Sequence, residues 1–213
     1  MGLPALPIKR FSVIARDYEF HVPRKNTDAP ESTSILRGLE SLANQNFKDF
    51  DLIICHDGPK SKSYIDEGID FQSMGLNPLL INTKDRMNLY GHPSADLAMK
   101  YAYTNGIGEY YIQFNIDNVF TEDAFEKIDD YISKSEDEVF IFDVYHWKLG
   151  KTLAGNKPVI NEIDAMQLVA HRDVWKQNNF WHSNDFAADG IIYEDICNKN
   201  SWTHIPFCLG QNF

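Results

Sequence analysis

The chain has 213 residues, 43% of them hydrophobic, which suffices for one domain with a full core, or one domain with an appendage. Against 20 Lys and Arg stand 31 Asp and Glu, and the net charge of -11 argues against a nucleic-acid or anionic-membrane surface. It leaves phosphorylated ligands open, because a divalent cation can bridge an acidic site to a phosphate.

In chain order, "RFSVIAR" (Arg10 to Arg16) reads as a first strand and the Pro-punctuated polar run Asp17 to Thr33 as a loop. Ile35, Leu36, Leu39, Leu42 and Ala43 repeat with helical spacing. "FDLIICHDG" (Phe50 to Gly58) is a continuous apolar strand ending in a polar turn, and "NPLLIN" (Asn77 to Asn82) is a shorter one. Ser94 to Thr104 reads as a helix, with Ser94 as its N-cap and Asn105-Gly106 as its stop. Strands follow at Tyr110 to Phe114, Asp137 to Trp147 and Ala165 to His171, then a short helix over Arg172 to Asn179 and a last strand in "SWTHIPFCLG". The first half alternates strand and helix with apolar strands, so the expected fold is α/β, a single Rossmann-like domain over 1–213 with a mostly parallel sheet flanked by helices.

Cys55, Cys197 and Cys208 form no CxxC or zinc pattern, which fits a reducing compartment, and Cys55 and Cys208 read as small core residues. No apolar segment approaches the ~20 residues of a membrane helix. The Pro-broken N-terminus is too short for a signal peptide, and Leu6 stands where a myristoylation signal needs Ser or Thr. The expectation is a soluble, cytoplasmic protein.

Ligands of such sheets sit at the carboxyl ends of the strands. Three polar clusters stand there: Ala15-Arg16-Asp17, His56-Asp57-Gly58 and Asn115-Ile116-Asp117-Asn118. Asn115 and Asp117 lie two apart on an extended segment and share one side. A carboxylate there suits Mn²⁺ or Mg²⁺ on a diphosphate; an ordinary Asx turn is the plainer alternative. Asp57 reads either as part of an Asp-Gly turn or as an acceptor for a nucleobase or ribose. Gly91 and Pro93 shape a loop before a helix, and the amides of that helix start suit a phosphate or sugar. "FWHSNDFAADGIIYEDI" (Phe180 to Ile196) carries Asp185, Asp189, Glu194 and Asp195 beside Trp181 and His182. One of its carboxylates suits a general base on a hydroxyl, with Trp181 stacking on a sugar face; a solvated acidic helix start is the alternative.

In this order and spacing the segments resemble the GT-A-fold glycosyltransferases, in particular the inverting family-2 type. The resemblance runs from about Phe11 to Pro206, through "IARDY", "SLANQNFKDFDLIICHDGP", "NLYGHPSADLAMKYAYTNGIGEYYIQFNIDNVF" and "MQLVAHRDVWKQNNFWHSNDFAADGIIYEDI". It departs from the family in three places. His56-Asp57 stands for a double Asp, Asn115-Ile116-Asp117 for DxD, and Ala95-Asp96 for Arg-Asn.

The resemblance implies a nucleotide-binding half, 1–114, and a metal and acceptor half, 115–213. It implies a nucleotide-sugar donor, a UDP-sugar first, with Asp57 and the Ala15-Arg16 backbone holding the nucleoside. Asp117, with Asn115 acting through water, would hold Mn²⁺ or Mg²⁺. Trp181 and His182 would line the side of a saccharide or other hydroxyl acceptor. Asp189 falls where the family's base falls, while Asp195 is the literal "xED" residue, and the choice favours Asp189. His204 is the one residue near the end to compare with the family's C-terminal metal His, and it reads as structural. A catalytically silent sugar-binding scaffold is the alternative function. A sugar-nucleotide pyrophosphorylase lacks its Gly-rich loop here, and a HAD-type phosphatase lacks its nucleophile, since Asn115 occupies that position.

Overall fold

A computed structural model describes residues 8–18, 35–58, 69–87 and 89–213. Strand β1, Phe11–Tyr18, lies at the centre of the first half. On one side it pairs in parallel with β2, Phe50–Asp57, which pairs in parallel with β3, Leu79–Asn82. On the other side it pairs in parallel with β4, Tyr110–Asn115. The chain therefore builds outward from β1 to β3, then crosses back to β4, leaving a topological switch point between β1 and β4.

The second half extends the same sheet. Strand β5, Val119–Phe120, is short; β6, Val139–His146, is long; β7, Lys151–Leu153, pairs only with β6. Strand β8, Leu168–His171, runs antiparallel to both β4 and β6, and β9, Thr203–Asn212, runs parallel to β6. The order is β3-β2-β1-β4-β8-β6-β9-β5, and most paired residues lie in parallel ladders.

Alternation within each strand splits the core into two layers. Phe11, Val13, Ala15, Leu52 and Ile54 point to the face covered by α1, Ile35–Ala43, and α3, Ala124–Lys134. Ile14, Ile53 and Cys55 point to the face covered by α2, His92–Thr104, α4, Arg172–Gln177, and α5, Ala188–Lys199. The fold is the expected mixed α/β domain.

Differences from the sequence reading have local causes. Helix α2 starts at His92 with Gly91 as N-cap, and Ser94 is buried inside its first turn, because Pro93 is tolerated where the first amides need no partner. Residues 165–167 form a 3-10 turn rather than strand, held by the capping box of Asp164 and Gln167. Cys208 is exposed rather than core, because the β6–β9 register slips between Phe142 and Val144 and turns this stretch outward. The loop expected over Asp17 to Thr33 lies outside the described residues from position 19 onward, as do positions 59–68 after β2. No helix among the described residues is long and apolar enough to cross a membrane.

Candidate active site

Register aligns the three polar clusters. Arg16 stands opposite Asn115 across β1 and β4, while Asp17 and Tyr18 stand opposite His56 and Asp57 across β1 and β2. At the switch point Arg16 Nε donates to Asn115 Oδ1 at 2.5 Å. Arg16 Nη1 lies 2.8 Å from His92 Nδ1, and Trp181 Nε1 donates to the same nitrogen at 2.9 Å. Two donors on one nitrogen leave it without a proton, so the His92 ring is neutral with its hydrogen on Nε2. Burial first, then Arg16, push its pKa down to about 4.

Helix α1 fixes the turn that bears Asp117. A Cβ on Gly38 would stand 1.9 Å from Ile116 O and 2.9 Å from Asn118 O, so only glycine permits this approach. Asn118 N donates to Asn115 O at 2.8 Å and closes the turn. Ser41 Oγ accepts from Phe120 N at 3.2 Å. Gln45 donates to Thr121 O at 2.7 Å and accepts from Phe125 N at 3.1 Å. The "SLANQ" run is thus the clamp that seats α1 on the Asn115–Phe125 segment.

Asp189 lies in the first turn of α5, where the helix N-terminus favours negative charge. Even so, burial first, and then the Asp164 carboxylate, push its pKa up to about 6, against the Gly190 amide and Arg16. Asp164 is buried; Met166 N donates to it at 3.1 Å and Asn212 Nδ2 also bonds it. Burial holds its carboxyl above the usual range. Burial lowers the pKa of Arg16, and the fields of Asp164, Asp189, Tyr193 and Asp117 oppose that. These groups therefore share one electrostatic site around the Arg16 guanidinium.

The other residues singled out in the sequence fall as follows. Asp57 is buried, and its Oδ1 accepts from Met87 N at 2.6 Å. His56 Nδ1 lies 3.0 Å from Asp17 Oδ2, both buried, so the position of the family's first Asp holds a histidine–carboxylate pair. Trp181 is 1% exposed, between Trp175, His92 and Tyr193, and offers no open face for a sugar. The indole packs there because its N–H finds His92. His182 Nε2 lies 3.3 Å from Asp195 Oδ2, and Glu194 accepts from Ile160 N at 2.9 Å, so both carboxylates of "YED" have structural partners. His204 Nε2 pairs with Asp143 Oδ1 at 2.8 Å. His92, Asp164 and Asn212 escaped the sequence reading. The capping pattern of Asp164 and Gln167 was a signal for one of them; His92 and Asn212 carried none.

Among the described residues no group of three or more His, Cys, Asp or Glu is placed to hold a metal ion. The Asn115 oxygen faces a guanidinium rather than a cation site. Asp117, half-buried in the turn after β4, is the one carboxylate of that triplet.

The layered sheet with its polar site at the β1–β4 switch point is a fold shared with solved glycosyltransferases. TarS of S. aureus superposes with a TM-score of 0.71 at 14% identity, covering 95% of this chain and 36% of TarS. A TarS structure in complex with UDP-GlcNAc gives 0.70 at 14% identity, covering 95% of this chain and 58% of that one. The mannosyltransferase PcManGT from Pyrobaculum calidifontis, in complex with GDP-Man and Mn²⁺, gives 0.66 at 10% identity, covering 97% of this chain and 57% of that one. The chain thus spans well under two thirds of these solved chains. No family model matches it, and no curated protein matches at a significant level.

Proposed function

We propose that the protein is an inverting glycosyltransferase that moves a sugar from a nucleotide-sugar, a UDP-sugar first, to an acceptor hydroxyl. The observation that carries this is Asp189, a partly buried carboxylate on a helix start with its pKa pushed up to about 6, beside the site at the strand ends. A base poised near neutral pH can take a hydroxyl proton in the transition state.

In this reading Asp189 accepts the acceptor's O–H proton as that oxygen bonds the anomeric carbon. The bond from that carbon to the diphosphate oxygen breaks on the opposite face, and the nucleoside diphosphate leaves with the electron pair. Asp195 is the weaker candidate, because His182 already engages it. Arg16 faces the developing negative charge, and the Ala15-Arg16 backbone and Asp57 hold the nucleoside. Mn²⁺ or Mg²⁺, as accompanies GDP-Man in the PcManGT complex, would rest on Asp117 and the donor's phosphates and offset the leaving group's charge.

A silent scaffold is the second reading, favoured by the replacement of a DxD carboxylate by Asn115. Thermal shift with UDP, CDP, ADP and GDP, with and without Mn²⁺, followed by release of UDP from UDP-sugars, separates the two. The transferase reading expects the largest shift with UDP, and turnover. Nucleotide binding without turnover or transfer to any acceptor supports the scaffold.

A further inference from the structure

We propose that Tyr90 and Phe186 form a stacking platform for a pyranose ring at the mouth of this site; the inference rests on the nucleotide-sugar reading. The two side chains come from segments 96 positions apart in sequence. They meet edge to face with ring centroids 5.3 Å apart. Both are nonetheless open, Tyr90 at 63% and Phe186 at 75% exposure. Two large apolar rings in contact and still facing water are a poor way to bury surface and a good way to present it.

The backbone makes the same point independently. Leu89 and Tyr90 have φ of 53° and 58°, left-handed values that bulky residues rarely adopt, and Gly91 follows at 76°. Strain of this kind persists where the surroundings over-determine it, and it clusters at ligand sites. Here it is tied to the site already described. The Tyr90 ring lies 5.9 Å from the His92 ring, and His92 holds both Arg16 and Trp181. On the other segment, Asp185 Oδ1 accepts from Ala187 N at 2.9 Å, which shapes the turn between Phe186 and α5. Phe186 thus stands three residues before Asp189 on a formed turn.

A pyranose suits this surface better than a protein side chain. Its C–H face stacks on an aromatic ring while its rim needs hydrogen-bond partners. The segment that carries Phe186 also carries such partners, the exposed His182 and Asp185 and the half-buried Asp189. Trp181, the aromatic expected to play this part, is buried and cannot. The ring on the platform is either the donor's sugar or the acceptor's, and the two sources separate by experiment.

The test uses the full chain as Phe186→Ala, Tyr90→Ala and Tyr90→Gly, with three readouts. Saturation-transfer NMR with a panel of methyl pyranosides reads the sugar directly. Calorimetry with UDP and with UDP-GlcNAc reads the donor, and KM for a saccharide acceptor reads the acceptor. We expect saturation on one C–H face of the sugar, at least fivefold weaker in the Ala variants, with UDP affinity within twofold of the parent. A donor-sided platform narrows the gap between UDP-GlcNAc and UDP affinity; an acceptor-sided one raises acceptor KM at unchanged kcat. Tyr90→Gly should melt no lower than the parent, because it relieves the left-handed strain, yet bind sugar as poorly as Tyr90→Ala. A merely structural Tyr90 would not separate stability from binding in this way. Parental sugar binding in all three variants overturns the platform and leaves the transferase reading intact; absence of any UDP shift in the parent overturns both.

Discussion

A carboxylate with its pKa near 6 is mostly ionised at neutral pH yet still basic enough to matter, and the environment of Asp189 sets that value. Burial and Asp164 raise it, while Arg16 and the Gly190 amide restrain it; His146 and Tyr193 also lie within its field. Asp189→Asn keeps size and removes basicity. It should leave UDP-sugar binding intact and lower transfer by roughly 10²–10⁴-fold, as loss of a general base does. Asp195→Asn should have a much smaller effect, since Asp195 lies ~9 Å further along α5 at ~1.5 Å per residue. Equal losses in the two variants would sink the assignment. The parental rate should rise with pH through about 6, as Asp189 loses its proton. Stability should move the other way. The folded pKa lies above the unfolded one, so Asp189 favours the folded state below about pH 4 and that contribution is lost as pH rises through about 6. Asp189→Asn should therefore gain in melting temperature over the parent as pH rises from 4 to 8. A gap that does not change with pH would count against the burial of this charge. At Asp117, Ala should abolish the part of UDP affinity that Mn²⁺ adds and that EDTA removes. An unchanged Mn²⁺ increment in Asp117→Ala would remove its metal role.

Helices decide whether those residues meet. Helix α1 lies against the Asn115–Asn118 turn at a distance that only Gly38 allows. A methyl there meets backbone carbonyls, which cannot swing aside as a flexible side chain does. Gly38→Ala should cost ~1–3 kcal/mol, as overpacking does, and weaken UDP binding by shifting Asp117. Chemical denaturation and calorimetry check both halves; full stability with parental UDP affinity would show that α1 does not set the turn. Elements of this kind were unevenly legible in the sequence. Strands β1, β2 and β4 announced themselves as apolar runs, because parallel strands are buried on both faces. Strand β5 has two residues and β7 three, too short for any period to show. Helix α3 escaped although Ala124, Phe125, Ile128 and Ile132 carry its apolar stripe, since acidic residues surround that stripe. Ser41 and Gln45 were visible as part of a motif, but their role was not, because it lies in hydrogen bonds to residues about 80 positions away.

At the scale of the whole chain, the polar ends of β1, β2 and β4 were readable because the parallel-sheet rule says where ligands bind. The network behind them was not, since Asp164, Asn212 and His92 reach the site only through tertiary contacts. The division expected at 114/115, between a nucleotide-binding half and a metal and acceptor half, runs through one continuous sheet. The cut falls inside β4, which pairs with β1 on one edge and β8 on the other. Helix α1 of the first half is clamped to Phe120, Thr121 and Phe125 of the second. Arg10 reaches across with Nε 2.7 Å from Asp129 Oδ1. Both core layers share one sheet, so neither half can expose its layer without stripping the other's. We therefore expect a single cooperative unfolding transition. Trp175, on α4, and Trp181 are buried in the layer that α4 and α5 cover, so tryptophan fluorescence weights that layer, whereas far-UV ellipticity reports every helix. The two signals should share one midpoint in urea, and saturating UDP should move both by the same amount, because a ligand that binds only the folded state stabilises the whole cooperative unit. A fluorescence midpoint that moves with UDP while part of the ellipticity melts separately would mean that the halves fold as independent bodies.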